Sequence, residues 1–582
     1  MKKLFVLALL LVACKKNKVD KPEVSYNFTT VFEQSEGQKT ATYQETITYY
    51  NALAETYPQI LLQEIGETDA GKPLHVATFN STDTPTDFEV LRQKQQILFI
   101  NNGIHPGEPD GIDATMMLFR DLAQGKIESP SNTVIVTIPI YNVGGSLNRN
   151  ANSRTNQNGP ETYGFRGNAR NYDLNRDFIK SDTKNAQTFA EIFHMVQPDV
   201  FIDTHVSNGA DYQYTLTHLF TQHNKLGGPL GNYIHKTMMP TLEEKLAKKS
   251  WDITPYVNVF NRTPERGFTQ FLDSPRYSTG YTSLFNTLGM MVETHMLKPY
   301  KQRVEGTYEL LKSMIEITDE QSSEIKALQR EQQNLWYAGA SYPLQWEVDS
   351  IKSSTREFKG YEGHTIASNF TGAERLKYNR DEPYTRPIAY QDYFTAKDSV
   401  TIPKAYVISQ GWHHVISLLN RNNVQYQTLS KDTLITVESY KISNYDTRKT
   451  PYEGHYAHYN TQVSSTLINK TFRKGDYLVP TDQYAQRYLI ETLEPMAVDS
   501  FFNWNFFDTI LQQKEGFSPY VWEDKAEELL NNNPNLQMEF NVKVSYDEAF
   551  TNNWYAQLDW LHKQSKYYEK AHLQYPVYRI TE

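Results

Sequence analysis

Four short apolar runs, at 96–101, 134–140, 200–204 and 288–292, alternate with stretches of helical periodicity, and this constrains the fold more than any other feature. Runs this short suit buried strands, whereas helices of globular proteins are usually longer. Between the first two, Ile112, Met116 and Phe119 fall on one face of a helix. Between the second and third, Ala186, Phe189, Ile192, Phe193 and Val196 do the same, and Pro198 follows their last turn. Strands separated by helices lie parallel, because the helix provides the crossover. Earlier, Thr42 and Glu45 form a capping box for a helix with Ile47, Tyr50, Ala54 and Tyr57 on its apolar face, ending at Pro58. Runs at 59–65 and 73–79 read as strands around a turn at Asp69-Ala70-Gly71. The expected class is α/β, with a mixed, mostly parallel central sheet flanked by helices. Such sheets bind ligands beyond the carboxyl ends of their strands.

Those ends carry the chemistry. The first run leads into His105-Pro106-Gly107-Glu108, the third into His205 and the fourth into Glu293. Two imidazoles and one carboxylate are a known zinc-ligand set that leaves a position for water. His105 and Glu108 are close enough for one loop to present both, and His205 would join them on folding. Alone, H-x-x-E is a weak signal. It gains weight from its companions in the long Asn/Gly/Arg-rich stretch 142–176, where Asp173-Leu174-Asn175-Arg176 offers an acid, an amide and a guanidinium. A planar guanidinium matches a carboxylate through two parallel hydrogen bonds. Arg154 would place a second positive group near the metal. A partly desolvated Glu293 beside a metal can carry protons at neutral pH.

With H-x-x-E, D-x-N-R, the strand-end histidine and the strand-end glutamate in this order, residues 40–300 resemble the zinc metallocarboxypeptidases of the carboxypeptidase A-like family. The resemblance implies one zinc ion per chain, held by His105, Glu108 and His205, with Asp173 orienting the first histidine. It implies that Asn175 and Arg176 bind the terminal carboxylate of a peptide and that Glu293 is the general base. The family's oxyanion arginine corresponds best to Arg154, with Arg149 as its rival. A family tyrosine that closes over the substrate has two candidates, Tyr277 and Tyr281, and Tyr281 is assigned to substrate binding. The reaction implied is hydrolysis of C-terminal residues by metal-activated water.

Other features place this domain in the chain. Lys2 and Lys3, an apolar run and Leu11-Val12-Ala13-Cys14 describe a signal peptide over 1–13 that resembles a bacterial lipobox. Cys14, the only cysteine, would carry the lipid, with 14–35 as a tether and the protein exported and membrane-anchored. The catalytic domain is expected over 36–336. An accessory domain over 337–582 is expected to be β-rich or small α/β, with a βαβ pattern across 405–429. Its His455 and His458 have metal-like spacing, but surface or core histidines are the commoner outcome. A net charge of −10 favours no nucleic-acid partner. Two alternatives stand beside the peptidase: a zinc-dependent amino-acid deacylase or cell-wall peptide amidase on the same site, and a non-catalytic lipoprotein that binds peptide or glycan.

Overall fold

The computed structural model describes residues 26–82 and 87–582. The expected signal peptide, Cys14 and the tether up to residue 25 lie outside the described residues. From residue 26 on, the tether expectation fails: Val31–Gln34 is a capped helical turn with Phe32 buried, and Tyr26 and Phe28 pack near Tyr49. Apolar side chains in this segment hold it against the domain.

The central sheet has eight strands in the order β1-β2-β4-β3-β5-β9-β6-β7. They are β1 (Ile60–Ile65), β2 (Leu74–Phe79), β3 (Gln96–Asn101), β4 (Thr133–Ile138), β5 (Val200–Ser207), β6 (Leu216–Phe220), β7 (Ile253–Pro255) and β9 (Leu288–His295). The short β8 (Phe268–Thr269) lies elsewhere. The middle of the sheet, β4-β3-β5-β9, is parallel, and β1, β2 and β6 join antiparallel. β3, β4 and β5 are buried along their whole length, which explains their continuous apolar sequence. The helix Tyr43–Thr56 opens on the Thr42–Glu45 capping box. Helices Asp110–Ala123 and Lys184–Val196 fill the crossovers. β5 and β9 run further than their apolar cores, so His205 and Glu293 sit within strands rather than after them, facing each other in register. β3 has β4 on one side and β5 on the other, so the chain reverses its direction of travel there. This is where an open α/β sheet leaves a crevice.

After the helices Tyr300–Glu320 and Ser322–Gln332, the chain is largely antiparallel β. β10 (Ser341–Val348) pairs with β13 (Phe394–Thr401), and β11 (Ser354–Ala367) with β12 (Glu374–Gln391). A second sheet has the order β15-β18-β14-β19-β16-β17, built from β14 (Ala405–Ile408), β15 (Gln427–Thr428), β16 (Thr433–Thr447), β17 (His458–Phe472), β18 (Tyr477–Pro480) and β19 (Gln574–Ile580). The βαβ pattern is present but split. β14 and β15 flank β18 and are both antiparallel to it, with the helix His413–Arg421 between them in sequence. The two halves are not separately cored. β8 pairs with β12, and one apolar cluster contains Phe193 and Phe285 together with Tyr488, Phe501 and Trp504. Among the described residues, no helix is long and apolar enough to cross a membrane.

Candidate metal centre and active-site cleft

The loop after β3 and the end of β5 bring the three expected donors together. His105 Nδ1 lies 3.3 Å and His205 Nδ1 3.4 Å from the same oxygen, Glu108 Oε2. All three side chains are buried, with donor atoms within 4.8 Å of one another, and they are the only such group among the described residues. Each imidazole turns its second nitrogen to a carboxylate. His105 Nε2 is 2.8 Å from Asp173 Oδ1; His205 Nε2 is 2.9 Å from Asp203 Oδ2, at an angle short of an aligned hydrogen bond. A proton kept on Nε2 leaves the Nδ1 lone pair for a cation. His105 Nδ1 has no hydrogen-bond partner although it is buried, an orphan that a cation would satisfy. Two neutral imidazoles and one carboxylate fit zinc.

Glu108 is prepared for that task. Burial alone would raise its pKa, but Arg154 and His105 outweigh burial and hold it well below the usual carboxylate range. Arg154 Nη1 donates to Oε1 at 2.7 Å, while Val206 N–H donates to Oε2 at 2.9 Å. Gly107 makes room for this arginine, since a Cβ there would stand 2.7 Å from Arg154 Cδ. The rival Arg149 is not at the cleft; its guanidinium donates to the carbonyls of Thr40, Ala41 and Thr162. Asp173 stays ionised on the same balance, burial opposing and His105 and Arg166 prevailing.

Glu293 is half-buried in β9, opposite His205, and its carboxyl is pushed up to about 7. Burial is the main cause; His205 pulls the other way and Glu108 adds to the rise. Asp173 caps the turn Leu174–Arg176 by accepting the Asn175 N–H at 3.0 Å. Asn175 Oδ1 accepts the Ser278 N–H, and the Arg176 guanidinium lies 4.6 Å over the Tyr277 ring. Glu293, Asn175, Arg176 and Tyr277 line one cleft of about 580 Å³, together with Arg154, Arg166, Tyr256, Phe271 and Met291.

The assignment of Tyr281 to this cleft is wrong. The helix Ser278–Thr282 carries that side chain inward, where it is fully buried among Phe178, Phe193 and Phe285 and donates to Asn422 Oδ1 at 2.6 Å. Tyr277 is the tyrosine at the cleft. Two further residues escaped the sequence reading. Asp203 was legible in principle, because Asp203 and His205 are two apart on a strand and so share a face. Arg166, which contacts both Asp173 and Glu108, was not legible, since spacing cannot rank the arginines between 149 and 176. His455 and His458 do not form a second metal site; they bind Asp182 and Asp508 separately.

The donor set is that of a zinc site. Residues 46–202 match the zinc carboxypeptidase family, Peptidase M14. Carboxypeptidase 2 of Trichophyton rubrum is 21% identical over 445 residues, which cover 69% of this chain and 72% of that protein. Carboxypeptidase 2 of Trichophyton equinum is 22% identical over the same shares. Among solved structures, the metallo-carboxypeptidase of Burkholderia cenocepacia overlays with a TM-score of 0.36 at 15% identity, covering 48% of this chain and 70% of that one.

Proposed function

We propose that the chain is an exopeptidase that removes C-terminal residues from peptides with a free terminal carboxylate. One juxtaposition carries this reading: Glu293 lies in register with His205, while Arg176, stacked on Tyr277, lines the same cleft. Arg176 and Asn175 receive the substrate's terminal carboxylate, and Tyr277 keeps the guanidinium plane turned to it. Arg154 stands where negative charge develops on the scissile carbonyl. Glu293, with its raised affinity for protons, accepts one from the attacking water and delivers it to the departing amine. A zinc ion at His105, Glu108 and His205 would supply Lewis-acid polarisation and a more acidic water. Asp173 and Asp203 hold the two imidazoles in the required tautomer.

Glu293→Gln tests the reading. Turnover of a free-carboxylate peptide should fall about a thousandfold or more, with zinc per chain unchanged by mass spectrometry. Parental turnover in that variant would remove Glu293 from the mechanism. Activity on peptides and on N-acyl amino acids, side by side, separates a peptidase from a deacylase.

A further inference from the structure

The two loops that form the carboxylate anchor are gripped by residues from the other half of the chain. Trp504 is fully buried and stands between two cations, Lys180 Nζ at 5.6 Å and the Arg276 guanidinium at 5.0 Å from its ring. Lys180 follows Arg176 by four residues, and Arg276 directly precedes Tyr277. Trp504 Nε1 donates to Asp499 Oδ1 at 3.2 Å. Asp499, also fully buried, accepts the backbone N–H of Arg276 at 3.0 Å and its Nε at 2.8 Å. On the first loop, Lys180 donates to Asp177 and Asp182, and Asp182 is 2.7 Å from His455 Nε2.

A third contact reaches the site more directly. Glu453 Oε2 accepts the N–H of Asp173 at 2.9 Å, the residue whose side chain holds His105. Glu453 has a left-handed backbone, φ 48°, and Gly454 follows at φ 80°. A Cβ on Gly454 would stand 2.5 Å from the Tyr172 hydroxyl. A non-glycine residue at positive φ costs on the order of 1 kcal/mol, so the surrounding contacts must hold this turn against the loop. Buried ion pairs of this kind add little to stability, but they fix geometry.

We propose that Asp499, Trp504 and Glu453 are positioning residues for recognition of the substrate carboxylate, fixing 173–182 and 276–277 so that Arg176 stays stacked on Tyr277. The proposal rests on the carboxypeptidase reading. Arg176 itself is held by one hydrogen bond, to the Asn175 carbonyl at 2.7 Å, and by a looser approach to Asp173 at 3.9 Å. Its orientation therefore depends on the Tyr277 ring, and that ring depends on the turn that Asp499 ties down. The second half of the chain thereby acts as part of the substrate-binding apparatus.

The test uses the full chain and two probes, an N-acetylated tripeptide ending in phenylalanine and its amidated twin. Asp499→Asn should raise KM for the free acid about tenfold with kcat falling less than about threefold, and Glu453→Gln, a milder change, about threefold. Neither should alter zinc per chain. Calorimetric binding of the free acid in a Glu293→Gln background should weaken by the same factors. Parental KM and binding beside a lowered melting temperature would reduce these residues to structural supports and overturn the proposal. So would a loss of zinc with KM unchanged, which would tie the contacts to the metal centre. If Asp499→Asn fails to fold, Glu453→Gln alone decides, because it exchanges the carboxylate acceptor of the Asp173 N–H for a weaker, uncharged one of the same shape. A parental protein that neither binds nor cleaves either peptide overturns the carboxypeptidase reading, and this inference with it; an active parent with unaltered variants overturns this inference alone.

Discussion

Arg176 shows how much of a site can rest on one side chain. Its guanidinium, over Tyr277 and lightly tethered to the Asn175 carbonyl, is the cleft's specific match for a planar carboxylate. Removing a buried charged partner commonly costs 2–5 kcal/mol, so Arg176→Ala should raise KM for free-carboxylate peptides on the order of a hundredfold. Amidated peptides should change by no more than about twofold. Steady-state kinetics on matched pairs checks this, and an equal rise for both would show that Arg176 does not read the carboxylate. At this scale the sequence was a good guide where chemistry and spacing coincide: H-x-x-E, the D-x-N-R run and the two strand residues converge as their types suggested. It misled at Tyr281, because Tyr277 is the extended residue before the helix Ser278–Thr282 whereas Tyr281 lies inside it, a boundary the spacing does not reveal. Nothing local distinguishes the turn that faces water from the one that faces Asn422.

Strands and helices were legible wherever hydrophobic period and burial agreed. β3 and the helix opened by Thr42 match their expected bounds because continuous burial and a capping box leave distinct marks. β6, β7 and the second sheet were less visible: β7 and β15 are three and two residues long, and their pairing is decided by distant partners. Packing between elements sets one further requirement. In the helix Asp110–Ala123, a Cβ on Gly111 would lie 2.1 Å from Thr204 Oγ1 and 2.5 Å from Asn102 Oδ1, so this helix needs a glycine to sit close to β5. Alanine is favoured by about 1 kcal/mol within helices, but overpacking here should cost more. Gly111→Ala is expected to lose about 2 kcal/mol net in denaturant unfolding. A variant as stable as the parent would show that the helix can move away from the sheet without penalty.

The two halves of the molecule are joined along a seam that holds a histidine. His194, on the helix Lys184–Val196, packs against Phe285 and Tyr484, with its Nε2 3.3 Å from the Tyr281 hydroxyl that binds Asn422 of the second half. Burial pushes its pKa down to about 4, opposed only weakly by Asn422. A histidine depressed in the folded state stabilises fully above its unfolded pKa of about 6.5 and loses that contribution as pH falls towards 4. Over that window His194 should account for about 2 kcal/mol of acid destabilisation. Melting curves at pH 7 and pH 4.5 should therefore show a smaller acid-induced drop in His194→Gln than in the parent; identical drops would place the acid sensitivity elsewhere. Joined halves also bear on biosynthesis. β19, drawn from residues 574–580, is wedged between β14 and β16, strands whose residues are translated more than a hundred positions earlier. That sheet lacks an inner strand until residues 574–580 have been made, whereas the metal ligands, all before residue 206, have emerged long before.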